Sequence, residues 1–328
     1  MMNTTRKLGN SFPPRRQAGL SLVELMISLT IGLVLLAGIT TLIARQSITR
    51  SELEKSSRQI ENGRYALQIL HDEIEHAGFY GEYSPSATTT YTVPADPCDT
   101  AVANLGWNSA TPAIPVAIHG YAGGAADPTA TSCLDNYKPN TAVLVTRRTA
   151  TVTVAAAAAD GVTTYLQTSR CNTDTIPFVL GTAGFTLKQK DCATLAPLRQ
   201  YIVRIYYIST CSICDTDTLP TLKVVEFINN AQTTIPLVEG IENMQFDYGI
   251  DTTGDGSSDA YTTTPVNWED VMAVRVNLLA RNNDPTGGYT DSKSYTLGEY
   301  GAVTPGGAYK RHVYSQLIRA VNPSGRRE

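Results

Sequence analysis

Cys211 and Cys214 are separated by two residues, which is the C-x-x-C spacing of dithiol redox sites and of zinc half-sites. A redox pair needs a helix N-terminus to lower the pKa of its first thiol. This pair instead follows a predicted strand and precedes Asp215 and Asp217, whose negative charges disfavour a thiolate. A zinc site needs a second pair at the same spacing, and the sequence has none. We therefore expect a local structural disulfide.

The chain contains six cysteines, and all of them follow the apolar N-terminal run. An even number favours disulfides formed in an oxidising compartment, and reduced, buried cysteines in a cytosolic protein are the alternative. Six cysteines allow many pairings, and their spacing does not choose among them. The candidate disulfide residues are Cys98, Cys133, Cys171, Cys192, Cys211 and Cys214.

Acidic residues occupy positions 1, 5 and 9 of the stretch 251–259, with a glycine at position 6. This pattern resembles the first part of a calcium loop, in which carboxylates are ligands and glycine permits a sharp turn. The acid that would complete the site is missing, because position 12 is Thr262. Calcium is the one candidate cofactor, and a solvated turn between two strands is the alternative. The candidate ligands are Asp251, Asp255, Ser257 and Asp259.

The four histidines do not form a metal-binding pattern. His71 and His76 lie about 140° apart around the axis of a predicted helix, so they cannot share a metal ion from one face. His119 and His312 have no ligand-like neighbours in the sequence. The sequence also lacks nucleophile-elbow, phosphate-loop and dinucleotide-binding motifs, so it suggests no enzyme.

The formal net charge is −4, but residues 1–19 contain four basic residues and no acid. The remainder of the chain therefore carries a net charge of −8. An acidic remainder makes nucleic-acid binding through a basic patch an unlikely function, so we predict no nucleic-acid partner.

The stretch from Leu20 to Ile43 is apolar, and Glu24 is its single charged residue. As a helix it would be roughly 36 Å long, enough to cross the hydrocarbon core of a bilayer. A secretory signal peptide has a shorter apolar region with a cleavage site after it, and neither feature is present here. Because the basic residues come first, we expect a cytoplasmic N-terminus and a head outside the inner membrane.

Helical periodicity continues beyond the apolar run, and no proline occurs between Pro14 and Pro85. We predict one helix over 20–80, with its first part, 20–43, in the membrane and its second half packed against protein. A membrane anchor followed by a separate stalk is the alternative. Gly78 and Gly81 are the expected stops. The predicted packing stripe consists of Leu53, Ile60, Leu67, Leu70 and Ile74.

Residues 81–328 are predicted to form a β-rich head, which makes the fold α+β. The region 84–200 is rich in Thr, Ala, Gly and Pro, and we expect loops and strands tied by disulfides. One strand is predicted there at 141–153, and the alanine run 155–159 is predicted to be a loop or an edge. Later strands are predicted at 201–208, 222–228, 241–248, 271–281 and 312–321. Because no helical pattern separates these strands, the sheet should be antiparallel.

The stretch Gly19-Leu20-Ser21-Leu22-Val23-Glu24 closely resembles the processing site of type IV prepilins and pseudopilins. The resemblance implies that residues 1–19 are a leader and that a membrane peptidase cuts after Gly19. The same enzyme would methylate the new N-terminus at Leu20, where the family usually has phenylalanine. Glu24 would then be the fifth mature residue and an assembly residue that pairs with the N-terminus of a neighbouring subunit.

Five further stretches resemble blocks of PilW-type minor pilins, whereas residues 84–197 match little in that family. The resemblance implies a pilin fold, with a long N-terminal helix packed on an antiparallel sheet. The five stretches are 61–81, 198–209, 237–256, 271–281 and 309–322.

This resemblance implies a minor pilin that is held in the inner membrane and then joins the pilus by helix packing, without catalysis. The implied partners are the prepilin peptidase, other minor pilins, the major pilin, the inner-membrane assembly platform and a tip adhesin. A type II secretion pseudopilin is one alternative. The others are a membrane-anchored thiol-disulfide oxidoreductase that uses Cys211 and Cys214, and an anchored calcium-dependent binding domain.

Overall fold

The computed structural model describes Gly19 and residues 21–86, 88–228 and 231–327. The chain divides after Leu53 into two compact units. The first unit contains the N-terminal part of helix α1 (Leu22–His76), and the second contains the rest of that helix and the β-rich head.

In the first unit, α1 begins with a side-chain cap. The Glu24 N–H donates to Ser21 Oγ at 3.2 Å, which satisfies one of the backbone donors that a helix N-terminus leaves unpaired. Every residue from Leu22 to Ile43 is exposed in this chain. By its length and composition, α1 qualifies as a helix that can cross a membrane, as predicted.

In the second unit, α1 packs one face against the head. Leu70 and Ile74 are fully buried, as predicted, but Leu53 and Ile60 are exposed, so the predicted stripe is wrong in its first half. Gln59 and Gly63 are buried there instead. Gln59 Nε2 donates to the carbonyl of Ala280 at 2.7 Å, and a hydrophobicity pattern does not reveal such a contact. The helix ends at His76, before the predicted limit, and Gly78 follows with φ +77°.

The head contains fifteen strands within the described residues. They are β1 (Thr90–Thr92), β2 (Ala113–Pro115), β3 (Ile118–Tyr121), β4 (Val143–Thr149), β5 (Tyr165–Thr168), β6 (Phe178–Gly181), β7 (Leu198–Ser209), β8 (Thr221–Ile228), β9 (Ala231–Glu239), β10 (Ile241–Ile250), β11 (Ala260–Thr262), β12 (Val271–Arg281), β13 (Tyr295–Thr296), β14 (Ala302–Val303) and β15 (Arg311–Arg319). A short helix, α2 (Val321–Gly325), follows β15.

Two sheets form the framework of the head. The larger sheet has seven strands, with β3, β4, β7, β5 and β6 in order and with β8 and β9 continuing from β7. The smaller sheet has the order β11-β10-β12-β15. All pairs in both sheets are antiparallel, as predicted, and the short β1–β2 pair is parallel.

The main core lies where α1 and the two sheets meet. Met244, Phe246 and Tyr248, which alternate along β10, are all buried in it. On β12, Val274, Val276 and Leu278 are buried in the same core. A second core contains aromatic residues whose rings pack edge to face; the ring centroids of Tyr80 and Trp107 are 4.9 Å apart.

The predicted later strands are present with small shifts in their ends, and β12 has the predicted bounds. The last strand ends at Arg319, and α2 begins at Val321, which was predicted to belong to the strand. The alanine run forms one 3₁₀ turn at Ala156–Ala158, so the prediction of a loop was only partly correct. β9 was missed, because it is an edge strand whose side chains are largely exposed and lack an apolar alternation.

Asn277 on β12 is a buried polar residue. Its Nδ2 donates to Asp247 Oδ2 at 3.1 Å, and the N–H of Glu299 donates to Asp247 Oδ1 at 2.9 Å. The segment that contains β13 and β14 therefore covers the outer face of β12. Gly298 permits this close approach, because a Cβ atom at this position would lie 2.1 Å from Asp247 Oδ2.

Candidate functional site

The first candidate site is the N-terminal part of α1, where Glu24 lies in the first helical turn. Its side chain is exposed, and within the described part of the chain no side chain forms an ion pair with its carboxylate. Gly19 is described and exposed. The predicted N-terminus at Leu20 and the rest of the predicted leader lie outside the described residues, so both remain predictions.

The surface around Glu24 is apolar. The side chains of Leu25, Met26 and Ile27 are each more than half exposed, and so are the larger apolar residues up to Ile43. An unpaired helix surface of this kind needs either lipid or other helices to cover it. Glu24 is the single acid on that surface, so it is the residue there that can make a directional, charge-dependent contact.

All six cysteines are paired. The disulfides are Cys98–Cys133, Cys171–Cys192 and Cys211–Cys214. The sequence favoured a local Cys211–Cys214 disulfide, and this bond is present, whereas the sequence left the other two pairings open. The two longer disulfides close loops between residues 35 and 21 positions apart. In the chain-entropy model, each contributes about 3–4 kcal/mol to the free energy of unfolding.

The candidate calcium loop is ordered around Asp251, whose side chain is fully buried. Its Oδ1 accepts the Gly254 N–H at 2.6 Å, and its Oδ2 accepts the Gly256 N–H at 2.9 Å. Arg327 Nη1 donates to Oδ2 at 3.2 Å. Burial alone would raise the pKa of Asp251, but these N–H groups and the Arg327 guanidinium outweigh it and hold the pKa well below its usual range.

The other candidate calcium ligands make similar local contacts. Asp259 Oδ2 accepts the Thr252 N–H at 2.7 Å, and Asp255 Oδ1 accepts the Ser257 N–H at 2.9 Å. Within the described ranges, no three His, Cys, Asp or Glu side chains are grouped as a metal-ligand set. These carboxylates therefore accept hydrogen bonds from their own loop. Calcium binding stays a prediction, which thermal unfolding with and without calcium can test.

Two sites in the second unit were not predicted from the sequence. On α1, Glu73 is buried and Arg148 Nη2 donates to its Oε1 at 2.9 Å; Arg204 contacts the same oxygen. Near the local disulfide, the buried Lys223 donates to Cys214 Sγ at 3.5 Å. Both contacts join residues from different elements, so sequence spacing gives no signal for them.

The histidines are not brought together in the structure. His71 forms a 3.6 Å contact with Glu75, one helical turn away. His119 is buried between aromatic rings, with centroid distances of 4.5 Å to Trp268 and 4.7 Å to Tyr121. Burial, helped by the charge of Arg147, lowers the pKa of His119 to about 4.

Comparison with known families agrees with both the helix and the head. Residues 14–40 match the prokaryotic N-terminal methylation motif. Residues 205–322, which run from β7 to α2, match the type IV pilus-assembly protein W family. The search of curated proteins and the search of solved structures found no match.

The two family matches cover different parts of one chain. The first includes Gly19, Leu20 and Glu24, and the second includes the smaller sheet of the head. The long apolar helix, the antiparallel sheets and the disulfides are those expected of a pilin. Together these findings support a PilW-type prepilin.

Proposed function

We propose that this protein is a minor pilin that helps to initiate or extend type IV pilus assembly by binding other pilin subunits, without catalysis. The observation that carries the proposal is the exposed carboxylate of Glu24 on the first turn of an exposed apolar helix. The methylation-motif match spans this position, and the PilW match assigns the head to a pilus-assembly family.

The proposed docking step is an ion pair between subunits. Cleavage after Gly19 would create a positively charged α-amino group at Leu20, at the end of the apolar helix. The Glu24 carboxylate of one subunit can pair with the new amino group of another, and the low dielectric constant between apolar helices strengthens this attraction. Because apolar helix faces slide freely past one another, the ion pair would set their axial register.

The proposed topology follows from charge and from cysteine chemistry. Four basic residues precede the apolar run, so the N-terminus is placed in the cytoplasm and the head in the periplasm. The three disulfides are consistent with this placement, because such bonds form and persist in oxidising compartments. The proposed partners are the prepilin peptidase, the inner-membrane assembly platform, other minor pilins, the major pilin and a tip adhesin.

A type II secretion pseudopilin is the closest alternative, because it shares the leader and the helix. The match of residues 205–322 to a pilus-assembly family favours the pilus. A protein that is recovered with pseudopilins and is absent from sheared pili would support the alternative.

The test is to measure how much protein is incorporated into sheared pili after Glu24→Ala and Glu24→Gln substitutions. We expect both variants to stay in the membrane fraction at the wild-type level, and we expect their amount in pili to fall at least about tenfold, which corresponds to ~1.4 kcal/mol of lost contact free energy. The matched control is Glu61→Ala, which removes another exposed acid of the same helix and should have no effect. Wild-type incorporation of both Glu24 variants would contradict the proposal.

A further inference from the structure

Lys223 on β8 is a buried cation with an unusual partner. Lys223 is 5 % exposed, and its Nζ donates to Cys214 Sγ at 3.5 Å. Within the described part of the chain, no carboxylate lies within ion-pair distance of this ammonium group. The nearby charges that act on it are those of Asp135 and Asp217.

This environment stabilises the ammonium group poorly. Burial of a charge is costly unless an opposite charge or strong acceptors compensate for it, and a disulfide sulfur is a weak acceptor. Burial accordingly lowers the pKa of Lys223, although the charges of Asp135 and Asp217 oppose this effect. A thiolate at Cys214 would instead give the ammonium group a full counter-ion at the same position.

The two sulfur atoms of this disulfide differ in their surroundings. Cys211 is 5 % exposed and its Sγ lies 3.6 Å from Ser209 Oγ, whereas Cys214 is half-buried and accessible from solvent. Cys214 Sγ is therefore the sulfur atom that an external thiol can reach. The Thr210 hydroxyl donates to Cys211 Sγ at 3.9 Å and can donate to this sulfur as it departs.

Asp217, one of the two acids that follow the C-x-x-C stretch, already accepts several hydrogen bonds. The carboxylate of Asp217 accepts the N–H groups of Ser212 at 2.8 Å and Ile213 at 2.7 Å, and a third from Leu219 at 2.9 Å. These donors offset its charge, so the repulsion between this acid and a thiolate, which was expected from the sequence, is weakened.

We propose that Cys211–Cys214 is a redox-active disulfide that exchanges with external dithiols through Cys214, and that Lys223 is the counter-ion of the reduced Cys214 thiolate. A contact that is stronger in the reduced form favours reduction, so this bond should be more oxidising than the other two. The inference is independent of the proposed role in pilus assembly.

The exchange uses an external dithiol as reductant. One thiolate of the dithiol attacks Cys214 Sγ, the Cys211–Cys214 bond breaks, and Cys211 leaves as a thiolate that takes up a proton. The second thiolate of the dithiol then attacks the other sulfur of the same dithiol, which is bonded to Cys214 in the mixed disulfide. Cys214 leaves as a thiolate beside Lys223. The dithiol is oxidised to a disulfide, the protein disulfide is reduced to one thiol and one thiolate, and one proton is released.

The other disulfides lack such a partner. Cys171 Sγ contacts Thr173 Oγ1 at 2.9 Å, and Cys192 Sγ contacts Asn172 Oδ1 at 3.6 Å. Among the hydrogen bonds of the described residues, none joins a Lys or Arg side chain to the sulfur atoms of these two cysteines or of Cys98 and Cys133. These disulfides serve as internal references for the experiment.

The experiment equilibrates the full-length chain, in detergent micelles, with a series of dithiothreitol redox buffers. Differential alkylation and mass spectrometry then give the reduced fraction of each cysteine pair. We expect Cys211–Cys214 to be reduced in buffers at least tenfold less reducing than those that reduce either reference pair. Reduction of all three pairs in the same buffers would overturn the proposal.

Substitutions of Lys223 test the role of its charge. Lys223→Met should lower the equilibrium constant for reduction of Cys211–Cys214 about tenfold, which is about 30 mV for a two-electron couple, and Lys223→Arg should restore most of it. Lys190→Met, which removes an exposed lysine close to Cys192, should change nothing. An unchanged equilibrium constant in Lys223→Met, or an equal change in Lys190→Met, would overturn the assignment to Lys223.

A kinetic readout separates this role from a structural one. In protein in which Cys211–Cys214 alone is reduced, the rate of Cys214 alkylation is followed against pH. The wild type and Lys223→Arg should reach half of the maximal rate well below pH 8.5, the ordinary value for a thiol, and Lys223→Met should not. Circular dichroism confirms that each variant is folded, and Lys223→Gln replaces Lys223→Met if the latter is not. Equal midpoints in all variants would contradict the proposed ion pair.

Discussion

At the scale of single residues, charge is concentrated at a few buried positions. Glu73 on α1 is 6 % exposed, and its Oε1 forms ion pairs with both Arg148 and Arg204. Arg204 also pairs with Glu226 at 2.7 Å. The cluster joins the helix to three neighbouring strands, β4, β7 and β8, and its members are partly or fully desolvated, so each depends on the others.

We predict that Glu73→Ala lowers the free energy of unfolding of the head by about 3–5 kcal/mol, because it leaves two arginines without their shared carboxylate. Urea unfolding followed by tryptophan fluorescence measures this, since both tryptophans, Trp107 and Trp268, lie in the head. The control is Glu226→Ala, which removes a carboxylate that pairs with Arg204 and should cost about 1 kcal/mol. Equal losses in the two variants would contradict the central position of Glu73.

His119 makes the stability of the head dependent on pH. It is 8 % exposed, and its Nδ1 has no hydrogen-bond partner in the described part of the chain. Because burial lowers its pKa to about 4, the folded state holds the neutral ring in a range where the unfolded state, with a pKa near 6.5, takes up a proton.

The predicted consequence is a loss of stability as the pH falls from 6.5 to 4. The contribution of His119 is fully present above pH 6.5, declines towards pH 4, and amounts to on the order of 3 kcal/mol. Urea unfolding at several pH values compares the wild type with His119→Phe, which should lack this part of the pH dependence. His312→Gln, a substitution of an exposed histidine, should keep it. The same pH dependence in His119→Phe and the wild type would show that the assignment is wrong.

At the scale of elements, the contact between α1 and β15 is set by a glycine. A Cβ atom at Gly63 would lie 2.3 Å from the ring of Tyr314 on β15. The helix therefore approaches the sheet more closely here than any other residue would allow, and the ring of Tyr314 fills the space beside it.

This contact reverses the usual effect of a glycine-to-alanine substitution on stability. Glycine to alanine in a helix interior normally stabilises by about 1 kcal/mol, but Gly63→Ala should destabilise the head by about 1–3 kcal/mol because the Tyr314 ring must move. The control is Gly32→Ala in the same helix, where a Cβ atom meets nothing within 4 Å. We expect no loss of head stability in that variant, measured by urea unfolding. A stabilised Gly63→Ala protein would refute the close contact.

Elements with strong patterns could be predicted from the sequence, and elements without them could not. β12 was predicted with its bounds because apolar residues alternate from Met272 to Leu278 within an eleven-residue stretch that is rich in apolar residues. β9 was missed because an edge strand buries little of its own surface, so its residues are mostly polar. The end of α1 was placed too late because its last turn is decided by backbone contacts of the head, such as the Gly78 N–H to Arg147 carbonyl bond of 2.8 Å.

At the scale of the whole molecule, a site could be predicted from the sequence when its residues lie close together along the chain. The short stretch around Gly19 and Glu24 contains all the residues of its proposed chemistry, so its resemblance to a methylation motif was visible in the sequence alone. The Glu73 cluster and the Lys223–Cys214 contact bring together residues from different elements, and so do two of the three disulfides. Pattern analysis contains no distance information at those separations, and these contacts became apparent only with the fold.

The chain combines a long apolar N-terminal helix with a disulfide-bonded, β-rich head. The described residues up to Ile43 present an exposed apolar surface with one acid, Glu24. We propose that the chain is cut after Gly19 and enters the pilus through this surface.

Mass spectrometry of the protein recovered from sheared pili tests this claim most directly. The account predicts an N-terminal peptide that begins at N-methylated Leu20 and contains Glu24, and it predicts that this peptide is present in the pilus fraction. A protein found only in the membrane, with residues 1–19 still attached, would contradict it.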